Sequence, residues 1–242
     1  MKNALAVATC LLLGACTELY RWPDRMVKPG APSYEPAAEG FYVVKPGDTV
    51  YSIAFRHQLD FRELAVWNDI GPDYLIRPSQ LLRLTPPVSD GSSIQTRPMS
   101  APEVDRSEPT ARVPDPPPVE MTARWQWPTT GPILKPFGQD GSKGVDIGGD
   151  LGQRVVAAAP GKVVYSGSAL KGYGELIIVK HDDLRLSAYG YNRRRLVAEG
   201  ATVAAGQAIA ELGLGPEQKP LLHFEIRERG KPVDPLRYLP RP

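Results

Sequence analysis

The stretch PLLHFEIRERG, residues 220–230, alternates with the two-residue period of a β-strand. Leu222, Phe224 and Ile226 point to one side, and Leu221, His223 and Glu225 to the other. The pattern predicts an apolar-backed strand whose polar face carries His223, one of only 3 histidines in the chain. A histidine displayed in this way is a candidate metal ligand, so its partners decide both the fold and whether the chain is an enzyme. Upstream, GKVVYSGS, GELIIVKH, LRLSAYGY and QAIAELG read as further short strands separated by Gly-rich or charged turns. KGYGE is a turn signal between the first two, and Gly200 and Gly206 bracket a tight reversal. The C-terminal half is therefore expected to be a mainly antiparallel β-domain with only short helices.

The rest of the chain is organised differently. Its 242 residues allow two modules, and a net charge of +2 gives no case for nucleic-acid binding. Residues 18–39 are Pro-punctuated and lack apolar periodicity, as in a tether. Residues 88–123 hold almost no large apolar side chains and end near three consecutive prolines, so they cannot bury enough surface to offset their ordering entropy. They read as an extended spacer, expected to let the flanking modules work independently. The expected boundaries are a signal peptide at 1–15, a tether at 16–40, a first module at 41–87, a Pro-rich linker at 88–123 and the β-domain at 124–242.

At the N-terminus, Lys2 precedes an apolar run over 4–13 that is too short to span a bilayer. The run ends in LLGAC, residues 12–16, which resembles the lipobox of bacterial lipoproteins. That resemblance implies lipidation at Cys16, which becomes the mature N-terminus; the alternative is an ordinary secretory signal. Cys10 leaves with the signal, so no cysteine remains for a disulfide or a thiolate zinc site. Residue 17 is Thr rather than Asp. By the sorting pattern of such lipoproteins, this implies an outer-membrane lipoprotein facing the periplasm.

The first module reads as strand, helix, helix, strand. Tyr42 and Val44 alternate, Pro46-Gly47 turns the chain, Asp48 or Thr49 can cap a helix, and Val50, Ile53 and Ala54 recur at helical spacing. In FRELAVWND, Leu64 and Trp67 form a candidate buried pair, and LIRPSQLLRLTPP returns as a strand. VKPGDTVYSIA, LAVWND and LIRPSQLLRL together resemble a LysM domain. The resemblance implies a small βααβ fold that binds N-acetylglucosamine-containing glycans such as peptidoglycan. Its groove would lie between Gly47, Asp48 and Thr49 on one side and Leu75, Ile76 and Arg77 on the other. Ser79-Gln80 stands where family members often have Gly-Gln. His57 reads as a polar-face residue of the first helix.

KGVDIGG, GKVVYSG, GYGELIIVKH, SAYGYN, VAAGQAIAELG and LLHFEIR followed by PVDPLRYL keep the order of the LytM, or lysostaphin-like, zinc metallopeptidase domain, which this region resembles. Active members of that family bind zinc through His and Asp four residues apart and through the second histidine of a His-x-His strand. Two further histidines assist catalysis. Here the aspartate is Asp146 and the third ligand is His223, but Ser142 stands at the first ligand position, Leu221 at the His-x-His companion and Tyr191 at the remaining catalytic histidine. A catalytic zinc normally takes three protein ligands and a water, and loss of general acid–base groups alone costs about 10²- to 10⁴-fold in rate. Asp146 and His223 are therefore vestigial ligand positions, no stably bound zinc is expected, and Asp146 needs another donor, with Lys143, Ser142 or a partner as candidates. His181 is expected to be a non-catalytic surface histidine.

KGVDIGG, LIIVKH, LSAYGYN and LHFEIR, with the order lipobox, LysM, Pro-rich spacer and degenerate LytM domain, resemble NlpD-type lipoproteins. The resemblance implies a non-enzyme that activates a periplasmic N-acetylmuramoyl-L-alanine amidase, which cleaves septal peptidoglycan in cell division. The docking groove would be lined by Ser142, Asp146, Tyr191, Leu221 and His223. The basic run NRRRL, residues 192–196, either steers an acidic partner or is a solvated loop. Two other readings stay open: a passive peptidoglycan-binding lipoprotein, and a zinc endopeptidase with substitute ligands.

Overall fold

A computed structural model describes residues 39–87 and 125–241. The signal peptide, Cys16, nearly all of the tether and the Pro-rich linker lie outside the described residues. In the first module, β1 (Phe41–Val43) pairs antiparallel with β2 (Leu81–Arg83), and α1 (Val50–His57) and α2 (Phe61–Val66) lie between them in sequence. Of the two candidate caps, Thr49 starts α1: its hydroxyl accepts the Ser52 N–H while the Ser52 hydroxyl oxygen accepts the Thr49 N–H. Asp48 does not cap. Its carboxylate takes the Tyr42 hydroxyl at 2.7 Å and the Lys45 N–H at 2.9 Å, closing the loop instead.

Three expectations for this module need correction. LIRPSQ is loop, and the return strand is only the three residues of β2. Trp67 is half-buried and outside the core, whereas Leu64 is fully buried in it. Gly40, placed in the tether, accepts the Leu84 N–H and belongs to the module.

The second module is one antiparallel sheet of ten strands. These are β3 (Ile133–Lys135), β4 (Val145–Gly148), β5 (Arg154–Val156), β6 (Gly161–Gly167), β7 (Glu175–Lys180), β8 (Arg185–Arg195), β9 (Thr202–Val203), β10 (Ala208–Leu214), β11 (Pro220–Glu228) and β12 (Lys231–Val233). The main path runs β3-β4-β11-β10-β8-β7-β6-β9, with β12 on β11 and β5 on β10. The 220–230 stretch is the hub, because β11 also pairs along β8 from His223 to Glu228. Register places His223 opposite Asp146 of β4 on one side and opposite Gly190 of β8 on the other.

As the alternation of β11 predicts, Leu222, Phe224 and Ile226 enter one core, shared with Val145, Ile177, Val179 and Tyr189. The other face of the sheet is buried too. Leu176, Ile177, Ile178 and Val179 of β7 are all 0% exposed, a continuous apolar run of the kind found where a strand is covered on both sides. The second cover is the first module: Val50, Ile53, Phe55, Phe61 and Leu64 share a cluster with Val164, Leu176, Ile178 and Leu186.

The expectation of independent modules is therefore overturned. Burying four aliphatic side chains of the sheet is worth on the order of 6–12 kcal/mol. Closing the loop between the modules costs about 3 kcal/mol plus a constant, so burial wins. One hydrogen bond and one close backbone approach set the orientation. The Thr49 hydroxyl donates to the Val164 carbonyl at 3.3 Å, and the β11–β12 turn abuts the chain between α1 and α2. At Gly230, whose φ is +76°, any Cβ would sit 2.0 Å from the Leu59 carbonyl oxygen, so the approach requires glycine.

Candidate functional site

The polar face of β11 holds a charged chain. His223 donates from Nδ1 to Asp146 Oδ1 at 2.6 Å and from Nε2 to Glu225 Oε1 at 3.1 Å. With a carboxylate against each ring nitrogen, the arrangement favours the doubly protonated imidazolium. Glu225 also accepts the Tyr173 hydroxyl at 2.8 Å and Arg227 Nε at 2.7 Å. Arg227 then donates to the Phe55 carbonyl at 2.5 Å in the last turn of α1, where a cation is favoured by the helix dipole. Its guanidinium lies 3.3 Å from the centroid of the Phe55 ring. Glu225 is 0% and Arg227 1% exposed. A face that alternation alone marks as open is closed by Tyr173 and by α1 of the other module.

Burial on its own would push the His223 ring towards neutrality. The hydrogen bonds and charges of Asp146 and Glu225 outweigh it and hold the pKa up at about 9. Burial likewise raises Glu225, but His223 and Arg227 keep its carboxyl below the ordinary range. A raised histidine pKa stabilises the fold fully below the unfolded value of about 6.5 and progressively less as pH rises through about 9. Stability is expected to fall by on the order of 2–4 kcal/mol between pH 6.5 and 9.5. Urea unfolding at the two pH values measures it. His223→Gln should flatten most of that slope, and an equally steep slope in the variant would assign the loss elsewhere.

The other expected groove residues do not all line an open groove. Tyr191 does approach His223, with 6.1 Å between ring centroids. It occupies a bulge, where three steps on β8 match two on β7, and its φ of +59° is unusual for a non-glycine residue. The bulge turns the ring, and the Tyr191 N–H is taken by the Tyr173 carbonyl. Leu221 is only 6% exposed and sits beneath the turn at Gly215, where a Cβ would lie 2.8 Å from its Cγ. Ser142 donates to the Gly144 carbonyl at 3.0 Å and does not serve Asp146. The donor Asp146 requires is His223 itself.

Sequence reasoning missed Glu225, Arg227, Tyr173 and Phe55 as members of the site. A signal existed for two of them: His223, Glu225 and Arg227 share one face at a spacing of two.

His181 is not a free surface group. Its Nδ1 donates to the Pro160 carbonyl at 2.8 Å, its Nε2 lies 2.7 Å from the Ser187 hydroxyl oxygen, and burial lowers its pKa to about 4. His57 is exposed on α1, as expected. The basic run is strand rather than loop, and each arginine has a carboxylate partner, two of them sharing one. Arg193 and Arg194 bind Glu211, and Arg195 binds Glu175. In the first module, Asp48, Thr49, Leu75 and Ile76 line one cleft of about 630 Å³. Arg77 lies on an adjoining depression, and Gly47 is exposed in the turn before α1.

A LysM domain joined to an M23-type β-domain is the class defined by this fold: residues 42–85 match the LysM domain and residues 140–235 match peptidase family M23. Among curated proteins, the chain is 41% identical to a Pseudomonas aeruginosa protein named lipoprotein NlpD/LppB homolog, over 98% of this chain and 91% of that one. It is 36% identical to the Escherichia coli protein named murein hydrolase activator NlpD, over 83% and 68% of the two chains. The chain belongs to the NlpD/LppB family of lipoproteins. Among solved structures, the catalytic domain of lysostaphin from Staphylococcus simulans aligns over 46% of this chain and 87% of that one, with 30% identity and a TM-score of 0.39.

Proposed function

We propose that this protein is a non-catalytic lipoprotein, anchored to the outer membrane through Cys16, that binds peptidoglycan and activates a periplasmic N-acetylmuramoyl-L-alanine amidase during septal cleavage. The observation that carries the reading is His223, bound on both ring nitrogens by Asp146 and Glu225. A zinc ligand must present an unprotonated nitrogen, so a metal here would have to displace a proton and a carboxylate partner from His223. The Ser142 hydroxyl is directed at a backbone carbonyl, and the charge that a zinc ion would bring is already supplied by His223 and Arg227. The donor set does not fit a catalytic zinc, so no hydrolytic step is assigned to it. The name murein hydrolase activator carried by the Escherichia coli relative supports activation as the alternative role, and the LysM match supports glycan binding. Ser142, Asp146, Tyr191 and His223, with Leu221 beneath the rim, form the proposed docking surface.

Dye release from labelled peptidoglycan tests this. The full chain is the right reagent, because removing residues 41–87 would strip the cover from Val164, Leu176 and Ile178. With zinc and no other protein, release is expected to stay at background. Mixed with each periplasmic amidase of the same organism, one mixture should rise by about tenfold or more. Release by the chain alone would overturn the non-catalytic reading, and silence in every mixture would leave a passive peptidoglycan-binding lipoprotein.

A further inference from the structure

The cleft that contains Thr49, Leu75 and Ile76 does not belong to the first module alone. On the first-module side Tyr51 and Tyr74 stand beside those loop residues, their ring centroids 5.5 Å apart, together with the carboxylates of Asp48 and Asp73. Its opposite wall comes from the β-domain: Lys162, Lys180, Glu199 and Gly200. The volume of about 630 Å³ falls within the range of small-ligand sites. Apolar rings suit the C–H faces of a sugar, while an ammonium and a carboxylate opposite them supply a donor and an acceptor for hydroxyl and acetamido groups.

Of the two lysines on that wall, Lys162 is the one without an ion-pair partner among the described residues. Lys162 and Lys180 are directly opposite each other on β6 and β7, a like-charge pairing that costs stability. Lys180 is compensated by Asp183 at 2.8 Å. Lys162 is exposed and makes no ion pair among the described residues. Glu199 accepts one backbone hydrogen bond, from Ser166, which leaves its carboxylate capacity for more. The wall is rigid, because β6 is held between β7 and β9 and the Gly200 N–H donates to the Val163 carbonyl at 2.8 Å. The Thr49–Val164 hydrogen bond fixes the glycan loop against the same strand.

We infer that the glycan site is built by both modules: an N-acetylglucosamine-containing chain held by the LysM loops is also bound by Lys162 and Glu199 of the β-domain. This rests on the reading of those loops as a glycan site. Affinity and the docked arrangement are then coupled, since only the docked form has the second wall.

Calorimetric titration of the full chain with chitotetraose tests the inference. Lys162→Ala and Glu199→Ala, checked for an unchanged unfolding midpoint, are each expected to weaken binding by about three- to tenfold. Lys219→Ala, on an exposed ion pair in the β10–β11 turn, should bind as the wild type. Leu75→Ala, at a position 74% exposed on the LysM loop, reports on the underlying reading. If it weakens binding while both β-domain variants bind normally, the site is confined to the first module and the inference fails. If the wild type does not bind, the glycan reading itself fails and takes the inference with it.

Discussion

Replacing Arg227 by alanine is expected to destabilise the protein by about 3–5 kcal/mol at neutral pH, the usual cost of stripping one partner from a buried ion pair. Glu225 would remain at 0% exposure, with only His223 and the Tyr173 hydroxyl to hold it. The Phe55 carbonyl would lose a charged donor at the end of α1, so the damage should reach both modules. Urea midpoints at constant slope measure the effect. Changing Glu225→Gln in the same chain should recover a substantial part, because the uncompensated charge rather than the lost packing dominates. A double-mutant cycle with no coupling would show that the pair acts separately. The same variant separates structure from function: if hydrolase activation persists in the folded fraction, the charged chain serves the fold alone.

Phe55→Ala is expected to cost about 3–5 kcal/mol as a large-to-small change in a packed core. The ring is 2% exposed, lies 5.4 Å from the Tyr173 ring centroid, and carries the Arg227 guanidinium on its face. Val66→Ala, on a side chain 74% exposed in α2, should stay within about 0.5 kcal/mol. The informative outcome is the shape of the transition. Because residues from both modules share one cluster, wild type and variant should each unfold in a single step, probed alike by far-UV signal and by tryptophan emission, to which Trp67 of the first module and Trp125 and Trp127 of the second all contribute. Two resolved steps, of which only one moves in Phe55→Ala, would mean that the modules are energetically separate.

The shared cluster alters how the spacer is understood. A Pro-rich segment between two modules reads as a device for independence, yet connectivity sets only how far two units can travel. Whether they stay apart depends on the surfaces they present. The face of β6, β7 and β8 that carries Val164, Ile178 and Leu186 is too apolar to be left in water, and α1 and α2 of the first module cover it.

Much of the molecule was legible in its residues. The alternation of Leu222, Phe224 and Ile226 located the core strand, and turn chemistry delimited β6, β7, β8 and β10. The resemblance to the metallopeptidase motifs singled out Asp146 and His223, but not the hydrogen bond between them, for which the sequence leaves Lys143, Ser142 or a partner as donor candidates. These features are local, or depend on one strand keeping step with another. The consecutive apolar residues 176–179 indicate in sequence only one more short strand, and their burial on both faces emerges from the structure.

The identity of that cover, and with it the state of the site, was decided only by tertiary structure. Sequence periodicity says which side of a strand a residue faces, but not what lies across from it. His223 and Glu225 on a polar face are compatible with an open metal groove. Placed under Tyr173 and the end of α1, with Arg227 reaching across to Phe55, the same residues form a closed chain of alternating charge. Burial removes the water that would otherwise screen these groups, so each must find its partner within the protein.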